Sequence, residues 1–281
     1  MIFVHDKGRL CNNILQYAHL YAWGREHNRK TMSMRFAYKY PYFNICKTPY
    51  HNFFCYVVAK YAAKLKLIPV VHFDDENAST TEQEQIMLNR RYVVATGWYA
   101  RWYDLFLKYK SEILELFAFL PEVEEKVKAI LSPHSSLLSP LKLGLHIRRG
   151  DYKTWQNGQF YFTDEEYVRV IKSFINNLPS IHPQPSNLAH IFICGNDPTL
   201  NKEYYRKELS SLPVSLTFPD GNPGEDLCLL SHCDYLIGPP STFTLVASMY
   251  HDIPLCWLSD TSRPITAASF HKFDYLFRNI V

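Results

Sequence analysis

The sequence predicts an α/β fold built on parallel β-sheet, and three observations predict it. From residue 143 to residue 258, short apolar strands alternate with helical patterns, as in a parallel sheet covered on both faces. At the start of the chain, a short apolar strand runs through a glycine loop into a long helical pattern. Between these regions lies SPHSSLLSP at 132–140, with two prolines and four serines, the best linker candidate in the chain. The 281 residues are enough for two domains of ordinary size or for one large one.

The elements follow in order. Ile2–His5 forms a strand, Asp6–Arg9 a glycine-containing turn, and Leu10 to about His27 a helix with Leu10, Ile14, Tyr17, Ala18, Tyr21 and Ala22 at helical spacing. Residues 31–72 are aromatic-rich; within them Tyr50–Leu67 has a helical pattern, and Val70–Phe73 is a strand. Asp74–Asn89 is polar and acidic and predicts an exposed loop or insertion. A strand at Tyr92–Gly97, an amphipathic helix at Arg101–Phe117 and a helix at Pro121–Leu131 complete the first half. In the last of these, Glu122, Glu124 and Glu125 complement the dipole in the first turn.

The second half is more regular. Strands are predicted at Leu143–Ile147, His190–Cys194, Val214–Phe218, Asp234–Gly238 and Ile253–Leu258. Helices are predicted at Thr163–Leu178, with a Thr163/Glu166 capping box, and at Pro198–Leu209, Glu225–His232 and Ser241–His251. Pro179–Leu188 is a loop. The expected domains are therefore residues 1–135 and 141–281, with the last helix free to pack back on the first domain.

Composition excludes several classes. A net charge of +3 without a basic cluster argues against nucleic-acid binding. No apolar run reaches the roughly 18 residues of a membrane span, and no basic-then-apolar leader opens the chain. The seven cysteines contain no CxxC pair and suit a reducing, cytoplasmic setting. Cys228, His232 and Cys233 form the tightest cysteine–histidine cluster, but it lacks zinc-ligand spacing and a fourth partner; the run LCLLSHCDYLI fits core better. There is no Walker A, no GxGxxG, and no DxD to hold a nucleotide diphosphate through a metal.

Two stretches carry chemistry. In Leu143–Asp151, LGLHIRRGD, a core strand ends with His146, Arg148, Arg149 and Asp151 crowded into six positions. Strand alternation turns His146 and Arg148 one way, Ile147 and Arg149 the other. Arg148 at a strand end suits bidentate phosphate capture, with Arg149 and Asp151 bracing the turn. A structural ion pair with a core histidine is the other reading, and the residues alone leave both standing. In Gly238–Thr244, GPPSTFT, a strand stops and Ser241 or Thr242 opens a helix, which is either an anion site or an ordinary cap. Both stretches sit at carboxyl ends of strands in one predicted sheet, where α/β folds place ligands. Asp197 and Asp226, at loop or helix starts, can accept from sugar hydroxyls or a base edge and are also common caps. Asn12 and Asn13 open the first helix, with capping and ligand readings equally open.

These residues resemble a known family. HIRRGDY is similar to the HxRRxDY signature of the α-1,2-fucosyltransferases, shared more loosely with α-1,6- and protein O-fucosyltransferases. Gly8–Asn13 with Gln16, Tyr17 and Ala18, then Gly97-Trp98-Tyr99 with Trp102 and Tyr103, then Asn196-Asp197-Pro198, then Asp226 through Thr244 resemble further family blocks in the same order. Cys11, Asn13, Ala100 and Leu245-Val246 depart from that pattern.

The resemblance implies a GT-B-like fold: two Rossmann-like domains with the ligand cleft between them, an acceptor-side first domain and a donor-binding second. It implies inverting, metal-independent transfer of fucose from GDP-fucose to an oligosaccharide or polysaccharide-precursor acceptor, in an α-1,2 linkage. Another nucleotide-sugar, or silent binding without transfer, are the alternatives. By the resemblance, Arg148 grips the β-phosphate, His146 and Asp197 line the donor pocket and Asp226 reads the guanine edge. Ser241, Thr242 and Phe243 hold the diphosphate, and Asn12 sits near phosphate and acceptor. Asp6, Asp151 and Asp197 are the candidate general bases. No cofactor, metal, nucleic-acid partner or membrane span is expected; peripheral membrane contact is left open.

Overall fold

Period-2 apolar runs and glycine- or cap-opened helices build two parallel sheets. The computed structural model describes residues 1–5, 7–132, 140–183, 188–195 and 197–280. The expected linker at 132–140 therefore lies almost wholly outside the described residues, as do Asp6 and Asn196. The chain divides into Met1–Pro121 and Glu122–Val281.

In the first unit the elements run β1 (Ile2–His5), α1 (Leu10–Glu26), β2 (Thr31–Ser33), α2 (Phe53–Lys64), β3 (Val70–His72), α3 (Thr81–Asn89), β4 (Val93–Thr96), α4 (Tyr103–Lys108) and α5 (Lys110–Leu116). The sheet order is β2-β1-β4-β3, and every pairing is parallel. Helix α1 is buried nearly all round, from Leu10 to Gly24, with the polar Asn13, Gln16 and His19 among its buried side chains.

Two expectations fail here. Residues 74–89 are not all loop, because Thr81–Asn89 is helical. Polarity hid this helix: it buries only Met87, and its Glu84 accepts from the indoles of Trp23 and Trp102. The single helix expected over Arg101–Phe117 is two, broken at Tyr109 (φ −102°, ψ 15°), whose hydroxyl donates to Glu26.

The second unit runs α6 (Pro121–Leu131), β5 (Leu141–Ile147), α7 (Asp164–Asn176), α8 (Leu178–Ile181), β6 (Ala189–Gly195), α9 (Lys202–Glu208), β7 (Val214–Thr217), α10 (Pro223–Leu230), β8 (Tyr235–Gly238), α11 (Thr242–Met249), β9 (Leu255–Trp257) and α12 (Phe273–Arg278). The all-parallel order is β7-β6-β5-β8-β9. The chain moves outward from β5 through β6 to β7, then crosses to β8 on the other side. A topological switch point therefore lies between β5 and β8, where doubly wound sheets open a ligand crevice at their carboxyl ends.

Side-chain alternation along β5 holds. Leu141, Leu143, Leu145 and Ile147 join Tyr167, Ile171 and Phe174 of α7 in one core cluster, each fully buried Leu or Ile contributing about 1.5–3 kcal/mol. Gly144 faces the other way, where a Cβ would meet Leu230, Leu236 and Cys233. The Thr163/Glu166 capping box is present, with both bonds formed.

Three boundaries differ from the sequence expectation. Helix α6 belongs to the second unit rather than the first: Val123 and Val127 are buried, and Lys126 pairs with Glu225 of α10 at 2.6 Å. Helix α9 starts at Lys202, capped by Asn201, rather than at Pro198. Part of the loop expected at Pro179–Leu188 is the short α8. The last helix, α12, packs on α11 within its own unit.

Candidate active site

The carboxyl end of β5 and the start of α11 meet on one face of the second sheet. His146, only 6% exposed, stacks on Phe243 with ring centroids 4.8 Å apart and planes at 21°. Burial, then the nearby Arg148 charge, pushes the imidazole down to about 3, so the ring is neutral at working pH, and its Nδ1 has no partner. Gly238 permits this approach, because a Cβ there would sit 2.9 Å from the His146 carbonyl oxygen. Tyr152 closes the same corner: its hydroxyl donates to the Pro240 carbonyl at 2.5 Å, joining the turn after β5 to the turn before α11.

Arg148 follows His146 on that face. Its Nη2 donates to Asp151 at 2.9 Å, and the guanidinium lies over the Tyr152 ring at 5.2 Å. Its Nε is buried with no partner. The expectation that Asp151 braces Arg149 is therefore corrected: Asp151, half-exposed, holds Arg148.

Arg149 faces the opposite side and is buried in a network of its own. Nε donates to the Phe162 carbonyl at 2.9 Å, Nη1 to Asp197 at 3.2 Å, and Nη2 to Asp164 in the first turn of α7. Burial pushes the guanidinium down, but the two carboxylates outweigh it and hold it above its usual value. Asp197 is likewise pushed up by burial and pulled below the usual carboxylate range by its bonds to Thr199 and Arg149. Both its oxygens are engaged, and through Arg149 Asp197 braces the strand end.

On the far side of β5, Asp226 lies in the first turn of α10 beside Cys194 of β6, and Cys194 is the register partner of His146. Adjacent strands are about 4.8 Å apart, so Asp226, Cys194, His146 and Phe243 run in sequence across one sheet face. Burial, then the charges of Glu225 and Asp220, raise the Asp226 carboxyl to about 7, and its Oδ1 is buried without a partner. Such an oxygen is expensive to leave unpaired, and a ligand offering N–H donors would satisfy it.

Ser241 is the N-cap of α11, its Oγ accepting from the Phe243 N–H at 3.1 Å. The capping reading holds for the lone pair, and the O–H remains the group that can donate to an anion. Thr242 begins the helix, and Thr244 is tied to the Ser241 carbonyl and to the Trp257 indole.

In the first unit, Asn12 sits in the first turn of α1 against Gly8, whose φ of +90° and contact with the Asn12 amide exclude a side chain there. The loop before α1 is held by Gln16, which both accepts from the Lys7 N–H and donates to the Lys7 carbonyl, and by Asn13, which donates to the Arg9 carbonyl.

The fold gathers His146, Arg148, Phe243 and Asp226 on one face, while Asp197 pairs with Arg149 and Asp151 with Arg148. Sequence reasoning missed Tyr152 and Asp164. Tyr152 stands inside the quoted motif, and Asp164 follows a cap, where an acidic residue passes for a dipole complement. Chemically the face offers a cation and helix-start donors at one end and, at the other, a carboxyl that is acceptor-only once ionised, with a stacked, uncharged wall between.

No family model matches the chain. Among curated proteins, galactoside 2-alpha-L-fucosyltransferase Sec1 of Mus musculus is 23% identical over 276 residues, covering 94% of this chain and 68% of that protein. Among solved structures, a mutant of Arabidopsis thaliana FUT1 in complex with GDP aligns with a TM-score of 0.59 at 13% identity, over 96% of this chain and 73% of that one. NodZ alpha-1,6-fucosyltransferase soaked with GDP-fucose aligns at 0.52 and 14%, over 93% and 96%. POFUT1 in complex with GDP-fucose aligns at 0.55 and 10%, over 90% and 94%. The α/β fold with parallel sheets is the one these proteins have, and the likeness spans nearly the whole chain.

Proposed function

We propose that this chain is a fucosyltransferase, moving fucose from GDP-fucose to a glycan hydroxyl, on an oligosaccharide or polysaccharide precursor, with inversion and in an α-1,2 linkage. One observation carries the reading. A buried, unpartnered carboxyl oxygen (Asp226 Oδ1) and a buried, unpartnered guanidinium N–H (Arg148 Nε) flank the same sheet face around the carboxyl end of β5. A guanine presents two adjacent N–H donors to a carboxylate, and a diphosphate presents oxygens to an arginine. The ordered motifs and the Sec1 relative, a fucosyltransferase by name, support transfer of fucose.

In this proposal Arg148, oriented by Asp151, donates to the β-phosphate. The N–H and O–H groups of Ser241 and Thr242 hold the diphosphate from the helix start. Charge that develops on the leaving phosphate meets donors already in place, so no metal is required. Neutral His146, stacked on Phe243, walls the pocket without adding charge. Asp151 is the carboxylate assigned to the acceptor proton, and Asn12 is assigned to phosphate and acceptor. Peripheral contact with an anionic membrane belongs to the same proposal: Phe54, Val58, Tyr61 and Leu65 form an exposed stripe along α2 at steps of three and four, beside Lys60 and Lys64. Among the described residues, no helix is long and apolar enough to cross a membrane.

Thermal shift with GDP, GDP-fucose, GDP-mannose and UDP-sugars tests the donor. The proposal expects stabilisation by GDP and GDP-fucose and none by UDP-sugars. No shift with any guanine nucleotide would overturn it, and stronger stabilisation by GDP-mannose than by GDP-fucose would replace the sugar.

A further inference from the structure

Helix α10 carries a second group of functional side chains on another face. Asp226 lies near its start; Cys228, two residues on, lies about 200° round the helix. There Cys228, His232 just past the helix end, and Glu124 of α6 come together, with one ligand atom from each within 4.8 Å of the other two. We infer that Glu124, Cys228 and His232, with His251 as fourth ligand, form a site for a zinc-like divalent ion on the side of α10 away from Asp226.

The tautomer of His232 supports this. Its Nδ1 lies 2.8 Å from the Cys228 carbonyl oxygen, which can only accept. Nδ1 therefore carries a proton, which leaves Nε2, 3.7 Å from Glu124 Oε2, as the nitrogen that can offer a lone pair to a metal. A ring N–H fixed on a backbone carbonyl is the usual outer support of a metal-bound histidine. The His251 ring, in the turn after α11, is 5.8 Å from that of His232. Two imidazoles on one tetrahedral zinc have centroids about 5 Å apart, and ligand atoms about 3.3–3.6 Å apart, on ordinary zinc–ligand bond lengths. His251 stands outside the group of three whose ligand atoms lie within 4.8 Å of one another, so it reaches the ion only by turning its ring inward.

The donor set selects the ion. One thiolate, imidazoles and a carboxylate suit zinc, whereas magnesium and calcium want oxygen ligands. A thiol gives up its proton when it binds such an ion. The ion would clip α6 and the end of α11 onto α10. The spacing within LCLLSHC concealed the site, because Glu124 comes from another helix and Cys233 points elsewhere, its thiol on the Leu229 carbonyl.

The test uses the full chain, freed of metal with a chelator and titrated with cobalt(II). One equivalent should bind, with a thiolate-to-cobalt charge-transfer band and the intense visible bands of tetrahedral cobalt, both abolished by one equivalent of zinc. Cys228→Ser should lose the charge-transfer band. Glu124→Gln and His251→Ala, which alter less buried side chains, should each weaken binding by at least about tenfold, with circular dichroism confirming the fold. No charge-transfer band with excess cobalt overturns the proposal. So does the same band in Cys228→Ser, which would place the metal on another of the seven cysteines, or cobalt affinity unchanged in both Glu124→Gln and His251→Ala.

Discussion

Replacing Asp226 by asparagine should stabilise the empty protein and weaken its hold on guanine. The folded carboxyl sits at about 7, against 3.8 in an unfolded chain. Between those values the folded state keeps a proton that the unfolded state has lost, so this group's contribution is favourable at low pH and is lost as pH rises through 7. The gap of about three pH units corresponds to an upper limit of roughly 4 kcal/mol against the ionised, ligand-free protein. Asp226→Asn removes that penalty. Its stability relative to wild type should be near zero at pH 4 and climb by up to about 4 kcal/mol at pH 8. A guanine would be read by the ionised form, so GDP affinity should fall as pH drops through 7 in wild type and change little in the variant. Losing charge-assisted bonds worth about 1.5–3 kcal/mol costs roughly ten- to hundredfold in GDP affinity. The assay is denaturant unfolding and calorimetric titration at both ends of the pH range, with inosine diphosphate as control because it lacks the guanine amino group. Wild type should prefer GDP, and the variant should not distinguish the two. A variant that binds GDP as wild type does, or is less stable at pH 8, would rule out Asp226 as the buried carboxyl that reads guanine.

The two adjacent arginines should separate cleanly. Arg148→Ala should lose the GDP-dependent thermal shift while changing stability by less than about 1 kcal/mol, because Asp151 is half-exposed; an unfolded Arg148→Ala would make it the structural residue instead. Arg149→Ala leaves Asp164 and Asp197 buried without their cation and should cost about 3–5 kcal/mol in urea unfolding; a near-neutral result would break the bracing account. Phe54→Ser combined with Leu65→Ser should reduce cosedimentation with phosphatidylglycerol vesicles about a hundredfold, for roughly 2–3 kcal/mol of apolar burial. Equal binding of wild type to neutral phosphatidylcholine vesicles would contradict the basic, anionic-surface assignment.

What the sequence disclosed follows from periodicity. The strand LGLHI has period two, so its apolar residues, the opposite facing of His146 and Arg149, and the parallel alternation after residue 141 were all legible. The stop at Gly238 and the Ser241 cap were legible because turn and cap chemistry is local. What stayed hidden is long-range pairing. Arg149 reaches Asp164 and Asp197, 15 and 48 residues away, brought together by a helix start and a neighbouring strand end. The nearer carboxylate, Asp151, was the obvious partner and the wrong one. Helix α3 was hidden for a related reason: its contacts are two indole-to-carboxylate bonds rather than an apolar stripe.

Sugar transfer is read from its products. The protein is incubated with GDP-fucose, without metal, over a glycan array, and the products are resolved by nuclear magnetic resonance. GDP should be released in step with a new fucoside of inverted anomeric configuration, linked α-1,2, and Arg148→Ala should give no such product. GDP-fucose bound but never consumed with any acceptor, or a product that retains the donor's anomeric configuration, would contradict inverting transfer of fucose.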